Sequence, residues 1–259
     1  MTPIRNTLFA ILLFMLAPTS VSWAAIAFVQ DKVSFTSDSG NTQAITWTSN
    51  TTNGHFVVCA VMWSTPATRT LTGVTDSQGN TYTLSAFTRT TEGPAVDVAI
   101  VHAFNITVGT TPTVTATFNG SGSFGRHLQC AQFSGIATAS ALDQAAGQAQ
   151  NNPGTGTDAV TSGTVVTTQA DELIIGATCC MGTTPPGTAG TSFTMFPAIT
   201  TEDANSEYRI VSSTGTYAGT FTADGAADDF ATRVATFKML PVTPSAQSGG
   251  INPAILGEN

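Results

Sequence analysis

Short runs of β-branched and aromatic residues, separated by turn residues about every eight to twelve positions, constrain this chain most strongly. Apolar and polar residues alternate within most runs, whereas helical periodicity is almost absent. About fourteen such runs predict an all-β fold, an antiparallel two-sheet sandwich of the jelly-roll or lectin-like kind. The runs Phe56–Trp63 and Leu173–Gly176 lack polar alternation, so we expect them to be central strands covered on both faces.

Residues 1–24 have the three parts of a secretion signal. Arg5 supplies the positive start, Leu8–Ala17 the apolar stretch, and Ser22–Ala24 a small-x-small cleavage site. The apolar stretch of about ten residues is shorter than the roughly 20 that a membrane-spanning helix needs. We therefore expect the signal to be cleaved and the mature chain to be secreted, extracellular or at the cell surface, without a membrane span. A retained anchor is the alternative.

The remaining chain is long enough for one large β-sandwich or two small ones. We assign residues 25–239 to a single sandwich domain. Residues 137–162 are rich in Ala, Gln, Asn, Gly and Thr and have few large apolar side chains, which predicts a long surface connection within that domain. A linker between two domains is the alternative. Residues 240–259 contain several prolines and glycines, which predicts a disordered tail.

The charge of the chain is low and negative. Only 9% of the residues are charged, with 16 acidic and 8 basic side chains and a formal net charge of −8. An ordinary soluble domain is about 25% charged, so Thr, Ser, Asn and Gly must provide solubility here. An acidic surface repels phosphate backbones, which argues against nucleic acid as a partner.

Four cysteines, Cys59, Cys130, Cys179 and Cys180, follow the signal. In an oxidising compartment an even number favours disulfides, with three full connectivities. Cys179 and Cys180 point to opposite faces of a strand, because side chains alternate along it. We expect one of them to bridge to Cys130 or Cys59. The alternative is buried thiols that pack as small apolar side chains.

Several motifs occur in a fixed order along the chain: Gly54–Val58, Val74–Tyr82, Ala103–Ile106 followed by Thr113–Phe118, Gln132–Gly135, and Glu172–Gly176. Together they resemble a group of secreted bacterial β-sandwich proteins with a V-T-D-S-x-G-N-x-Y turn. The similarity extends from Ala27 to Thr178 and loosely beyond. It implies a sandwich fold and an extracellular setting, but no reaction and no catalytic residue. Such proteins often have a glutamate at the position of Gln132, so an acid-base role there would be lost.

The stretch Asp76-Ser77-Gln78-Gly79-Asn80 predicts a tight polar turn. Asp and Asn side chains accept hydrogen bonds from nearby backbone, and Gly79 is suited to a positive φ. Asp76 and Asn80 also supply oxygen ligands of the kind that Ca²⁺ binds. Since calcium needs roughly six to eight oxygens, the turn is the favoured interpretation and a calcium site the alternative.

His55, His102 and His127 are the three histidines of the chain, and each lies at or within a predicted strand. If they converged from separate strands, they would be able to bind zinc or copper. Exposed or locally hydrogen-bonded histidines are the favoured alternative, because two of the three lie near strand ends.

Support for catalysis is weak. No Gly-x-Ser-x-Gly element stands in a strand-turn-helix context. Glycoside hydrolysis requires two carboxylates, and none of the available ones lies in a recognised motif. These candidates are Glu92, Asp97, Glu172, Glu202, Asp203 and Glu207.

Aromatic residues indicate a binding function instead. Aromatic faces stack on the C–H surfaces of sugars, and the candidates are Trp47, Trp63, Tyr82, Tyr208 and Tyr217. Trp63 ends an apolar strand, which favours a place in the core. Tyr82 follows the exposed turn, so the sequence favours it as a ligand contact.

The sequence therefore predicts a secreted, non-enzymatic β-sandwich without a cofactor that binds an extracellular polymer, a glycan above all, or acts in surface adhesion. One alternative is a structural filament or matrix subunit that self-associates through an exposed edge strand. Another is a secreted polysaccharide-active hydrolase or metal-dependent oxidase.

Overall fold

A computed structural model describes residues 25–65, 69–84, 88–89, 95–120, 122–150, 157–181, 186–197, 204–224 and 229–241. These residues belong to one compact unit bounded by Ala24 and Pro241. They contain strands and turns, no helix, and hence no helix able to span a membrane. The predicted all-β sandwich class is confirmed. The signal sequence and nearly all of the predicted tail lie outside the described residues.

The N-terminal half of the unit contains nine strands within the described ranges. They are β1 (Ala27–Thr36), β2 (Thr42–Thr46), β3 (Phe56–Thr65), β4 (Leu71–Asp76), β5 (Thr83–Leu84), β6 (Thr88–Arg89), β7 (Ala95–Ala103), β8 (Thr113–Phe118) and β9 (Arg126–Ser134).

The C-terminal half contains ten described strands. They are β10 (Leu142–Gln150), β11 (Thr157–Thr161), β12 (Val165–Val166), β13 (Glu172–Met181), β14 (Pro186–Ala189), β15 (Thr194–Met195), β16 (Ala204–Val211), β17 (Thr216–Tyr217), β18 (Thr220–Asp224) and β19 (Asp229–Lys238).

The strands form five sheets, and every pairing is antiparallel. The first large sheet has the order β1-β9-β3-β7-β5, with β6 also on β7, and the first small sheet has the order β2-β8-β4. The second large sheet has the order β10-β19-β13-β16-β15. A second small sheet, β11-β18-β14, and the ribbon β12-β17 accompany it.

The two halves share one topology. The strands of the two large sheets correspond in order: β1, β9, β3, β7 and β5 of the first to β10, β19, β13, β16 and β15 of the second. The small sheets correspond in the same way, β2-β8-β4 to β11-β18-β14. A local contact repeats as well. The backbone N–H of Thr51 donates to the carbonyl of Gly109, whose N–H donates to the Thr51 hydroxyl, and Thr167 and Gly215 make the same reciprocal pair. The described unit thus consists of two structural repeats, one in each half of the chain.

Four hydrophobic clusters among the described residues hold these sheets in layers. The two large sheets face each other across a cluster that includes Phe56 and Phe133 from the first and Leu173 and Phe237 from the second. The opposite face of the first large sheet packs on the first small sheet. The opposite face of the second packs on the second small sheet and the ribbon. Both faces of β3 and β13 are therefore covered, and the prediction that these are central strands is confirmed.

The structure corrects the interpretation of residues 137–162 as a surface connection, because β10 and β11 lie within them. β10 is an edge strand with many small side chains. At Gly147 an added Cβ would overlap the Thr88 hydroxyl and lie 3.1 Å from Arg233 atoms. Close packing against β6 and β19, and not a loop conformation, accounts for a small residue there.

The disulfide differs from the expected one. Cys59 on β3 lies directly opposite Cys130 on β9, with Cα atoms 4.0 Å apart, and the two form a disulfide. The expected bridge from Cys179 or Cys180 to either of them is wrong, because both residues lie on β13 in the other half. Cys179 faces the core between the large sheets and Cys180 the core beneath the second small sheet, so the prediction that they face opposite ways is confirmed.

Candidate functional site

Asp76 ends β4 and organises the polar turn after it. Its Oδ1 accepts hydrogen bonds from the backbone N–H groups of Gln78 (2.9 Å) and Asn80 (3.0 Å). Its Oδ2 accepts from the Asn80 side-chain amide (2.7 Å) and from the Tyr82 hydroxyl (3.1 Å). Gly79 has φ of +74°, as the turn interpretation requires.

These contacts occupy the oxygens that would bind calcium. Asp76 has four donors around its carboxylate, and the Asn80 Oδ1 accepts from the backbone N–H of Thr107 at 2.8 Å. A bound Ca²⁺ would need lone pairs on these oxygens, and those lone pairs are directed at hydrogen-bond donors instead. The arrangement stabilises a turn, and it gives the calcium alternative no support.

Tyr82 completes this turn. Its ring packs against the core between the first large and first small sheets, and burial, together with the Asp76 carboxylate, raises the pKa of its hydroxyl far above the usual value. Both ends of the side chain thus have structural partners. Tyr82 as a ligand contact stays a prediction.

The histidines do not converge. His102 on β7 lies opposite Val58, and His127 on β9 lies opposite Met62, so the two are four residues apart along β3 and on either side of it. His55 precedes β3, and its Nδ1 accepts a hydrogen bond from the Gln132 amide at 2.9 Å. Within the described ranges no group of three or more His, Cys, Asp or Glu is placed to hold a metal ion. The structure therefore does not bring the three histidines together, and a histidine metal site stays a prediction.

The two fully internal histidines are uncharged core residues. The His102 ring lies 5.1 Å from the Phe237 ring and 6.0 Å from the Phe56 ring, and the His127 ring lies 4.4 Å from Phe35. Burial lowers the pKa of each imidazole to about 4. Both are neutral at physiological pH.

Three of the candidate carboxylates, Asp97, Glu172 and Glu207, lie in the described part of the chain, and all three are buried. Glu207 accepts hydrogen bonds from the backbone N–H groups of Gly190 (2.8 Å) and Thr220 (2.9 Å), which joins β16 to the second small sheet. Burial raises the pKa of Glu172 to about 7, and the neighbouring Asp143 adds to the rise. Groups sealed in this way cannot reach a polymer. Glu92, Glu202 and Asp203 lie outside the described residues.

The two tryptophan candidates are internal. Trp47 is buried, and Trp63 is 0% exposed with its ring 5.3 Å from Phe118. The structure therefore removes Trp63 from the proposed ligand contacts, because a ring without an open face cannot stack on an external sugar.

A different pair of rings forms a surface platform. Phe28 on the edge strand β1 is 39% exposed, and its ring lies 5.5 Å from that of Tyr208 with an interplanar angle of 11°. Phe133 and Phe196 support the pair from below, with centroids 5.7 and 6.2 Å from Phe28. Since β1 and β16 belong to different large sheets, the platform lies on the seam between the halves.

Sequence reasoning included Tyr208 but missed Phe28. The ring of Phe28 is exposed because β1 ends its sheet and a register irregularity follows between Phe28 and Gln30. Neither feature can be read from a short run of alternating residues.

Arg209 forms a second partly exposed group on the other face of β16. Its guanidinium lies 5.4 Å from the Tyr217 ring centroid and 6.0 Å from that of Phe193. All three side chains are partly exposed, and the two rings pack on the core beneath the ribbon β12-β17.

Comparison with known proteins gives no relative: no family model, no curated protein and no solved structure matches the chain.

Proposed function

We propose that this protein is an exported, non-enzymatic β-sandwich that binds an extracellular glycan, or glycan-bearing surfaces in adhesion, through the Phe28–Tyr208 platform. The observation that carries the proposal is the parallel stacking of Phe28 on Tyr208, with part of the Phe28 ring open at the surface. Aromatic rings present large apolar faces with few rotatable bonds, so little conformational entropy is lost when a sugar ring stacks on them.

The supporting rings hold the platform still before any ligand binds. Tyr208 contacts Phe133 at 5.4 Å and Phe196 at 4.9 Å, and these two side chains belong to the core between the large sheets. A prepared surface of this kind favours modest but specific affinity. The low charge of the chain is consistent with a neutral ligand.

Two further observations favour binding over the alternatives. The described carboxylates proposed for hydrolysis are buried, and both oxygens of Glu207 accept backbone hydrogen bonds, which disfavours glycosidase chemistry. The edge strand β1 contains a register irregularity followed by Asp31 and Lys32, and β10 contains one between Leu142 and Gln144. Irregularities and charges on edges oppose pairing with another chain, which disfavours a filament built through these edges.

The test is a quantitative pull-down on a panel of insoluble neutral polysaccharides. We expect saturable binding by the unaltered protein and about tenfold weaker binding by Phe28→Ala, a loss of about 1.4 kcal/mol. Phe104→Ala is the matched control, because Phe104 is similarly exposed at 36% and lies away from the platform after β7. Equal affinity of both variants would remove the platform from the proposal, and no binding to any polysaccharide would remove glycan binding.

A further inference from the structure

We propose that Arg209, Tyr217 and Phe193 form a second site, which binds the carboxylate of an acidic sugar such as a uronic acid. This site is independent of the Phe28–Tyr208 platform. Tyr208 and Arg209 are successive residues of β16, so their side chains leave opposite faces of the second large sheet. The ligand class also differs, since the platform has no charge and this site has a cation.

The guanidinium is held in position by the rings. Tyr217 and Phe193 lie 5.4 and 6.0 Å from it, within the range of cation–π attraction, and the Tyr217 hydroxyl donates to the Ser213 carbonyl at 3.0 Å. Tyr217 is also fixed by the pairing of β17 with β12. A guanidinium fixed in this way offers a fork of N–H donors that matches a carboxylate, and the adjacent ring offers a face for sugar C–H groups.

The charge of Arg209 has no ion-pair partner among the described residues. No described carboxylate lies within 4.0 Å of its guanidinium, although the chain has 16 acidic residues. The nearest acid along the same face of the strand is Glu207, whose two oxygens accept from Gly190 and Thr220. The site is therefore a local cation on an acidic protein.

The internal repeat shows that the fold itself does not need an arginine here. In the second half, Arg209 pairs with Ile174, three residues after Asp171, which has a positive φ. In the first half, Ala103 pairs with Val57, three residues after the positive-φ Gly54.

The distance to the repeated glycine agrees with this alignment. Ala103 lies six residues before Gly109, as Arg209 lies six residues before Gly215. Ala103 is buried under the first small sheet. The ribbon β12-β17, which supplies Tyr217, has no counterpart among the described strands of the first half. Among the described residues, the arginine and the Tyr217 ring thus occur in the second half alone, and the shared topology does not require them.

The experiment compares a galacturonic acid trisaccharide with its fully methyl-esterified form, by calorimetry on the intact protein. The ester keeps the shape of the ligand and removes its charge. We expect the acid to bind at least tenfold more tightly than the ester, Arg209→Gln to abolish this difference, and Arg209→Lys to restore only part of it, because an ammonium lacks the fork. Lys32→Gln, which removes a positive charge from β1, should leave the difference unchanged.

Several outcomes would overturn the proposal. Equal binding of acid and ester by the unaltered protein would do so without any variant, and so would full retention of the difference in a folded Arg209→Gln protein. Arg209-dependent binding of a sulfated trisaccharide as tight as that of the acid would reject carboxylate as the ligand class. Phe28→Ala should not alter binding of the acid, so failure at one site is distinguishable from failure at the other.

Discussion

Replacing Asp76 by alanine should destabilise the protein through the turn after β4. The change removes the acceptors of four hydrogen bonds, two from backbone N–H groups and two from the side chains of Asn80 and Tyr82. A hydrogen bond to a charged group contributes about 1.5–3 kcal/mol, but water can replace the acceptor for the more open donors. We therefore expect a loss of about 3 kcal/mol, most of it from the half-buried Tyr82 hydroxyl and the backbone of the turn.

Asp76→Asn separates the contribution of the two backbone donors from that of the two side-chain donors. Its amide oxygen still accepts from the backbone N–H groups of Gln78 and Asn80, whereas its amide nitrogen faces the Asn80 amide and the Tyr82 hydroxyl, which also donate. The expected loss is about half that of the alanine variant. Asp31→Ala is the matched control, because it also removes a carboxylate. Asp31 lies within β1 and organises no turn, and burial raises its pKa.

The assay is thermal unfolding followed by circular dichroism. In a domain of this size a loss of 1 kcal/mol lowers Tm by about 2–4 °C, so Asp76→Ala should lower it by about 6–12 °C. Addition of Ca²⁺ or a chelator should change none of the midpoints. An unchanged Tm for Asp76→Ala would refute the assignment of these bonds, and a Ca²⁺-dependent rise that requires Asp76 would restore the calcium alternative.

Three other predictions concern stability. Gly79→Val should lower the free energy of unfolding by about 1–3 kcal/mol, because Gly79 has a positive φ that valine resists. Gly73→Val is the control: Gly73 lies in a strand with equally open space around it, so the change should have little effect on urea unfolding. The unfolding free energy should fall as the pH rises from about 4.5 to about 7. Burial raises the pKa of Glu172, so the folded state retains a proton in this range that the unfolded state releases. Glu172→Gln should remove this component from the pH profile. Replacing Cys59 and Cys130 together by alanine should cost about 4 kcal/mol, from the entropy of closing a loop over a separation of 71 residues, and an unchanged urea midpoint would contradict the disulfide assignment.

Local sequence patterns predicted the strands that carry strong β signals. β3 and β13 consist mostly of apolar residues without polar alternation, and both are central strands. β10 has the sequence LDQAAGQAQ, whose side chains have low β propensity. Its pairing with β19 and its close packing against Thr88 make it a strand, and both contacts join residues far apart in the chain. A local pattern cannot report them.

The candidate site was harder to predict, because exposure depends on which sheet covers each face. Trp63 and Tyr208 both lie in predicted strands, yet packing of the first small sheet encloses Trp63, whereas Tyr208 lies at the seam between the halves. The disulfide depends on the register of β3 against β9, which places Cys59 opposite Cys130. The alternation rule was sufficient for one local statement, that Cys179 and Cys180 face opposite ways.

Binding and product release followed in the same sample test whether the protein binds a glycan without cleaving it. Each polysaccharide that retains the protein is incubated with it, the bound fraction is determined, and the supernatant is assayed for soluble oligosaccharides and new reducing or oxidised ends, with and without a chelator. We expect saturable binding and no product above a protein-free control. Product that increases with protein concentration would contradict it, and product lost on chelation would specifically favour a metal-dependent enzyme.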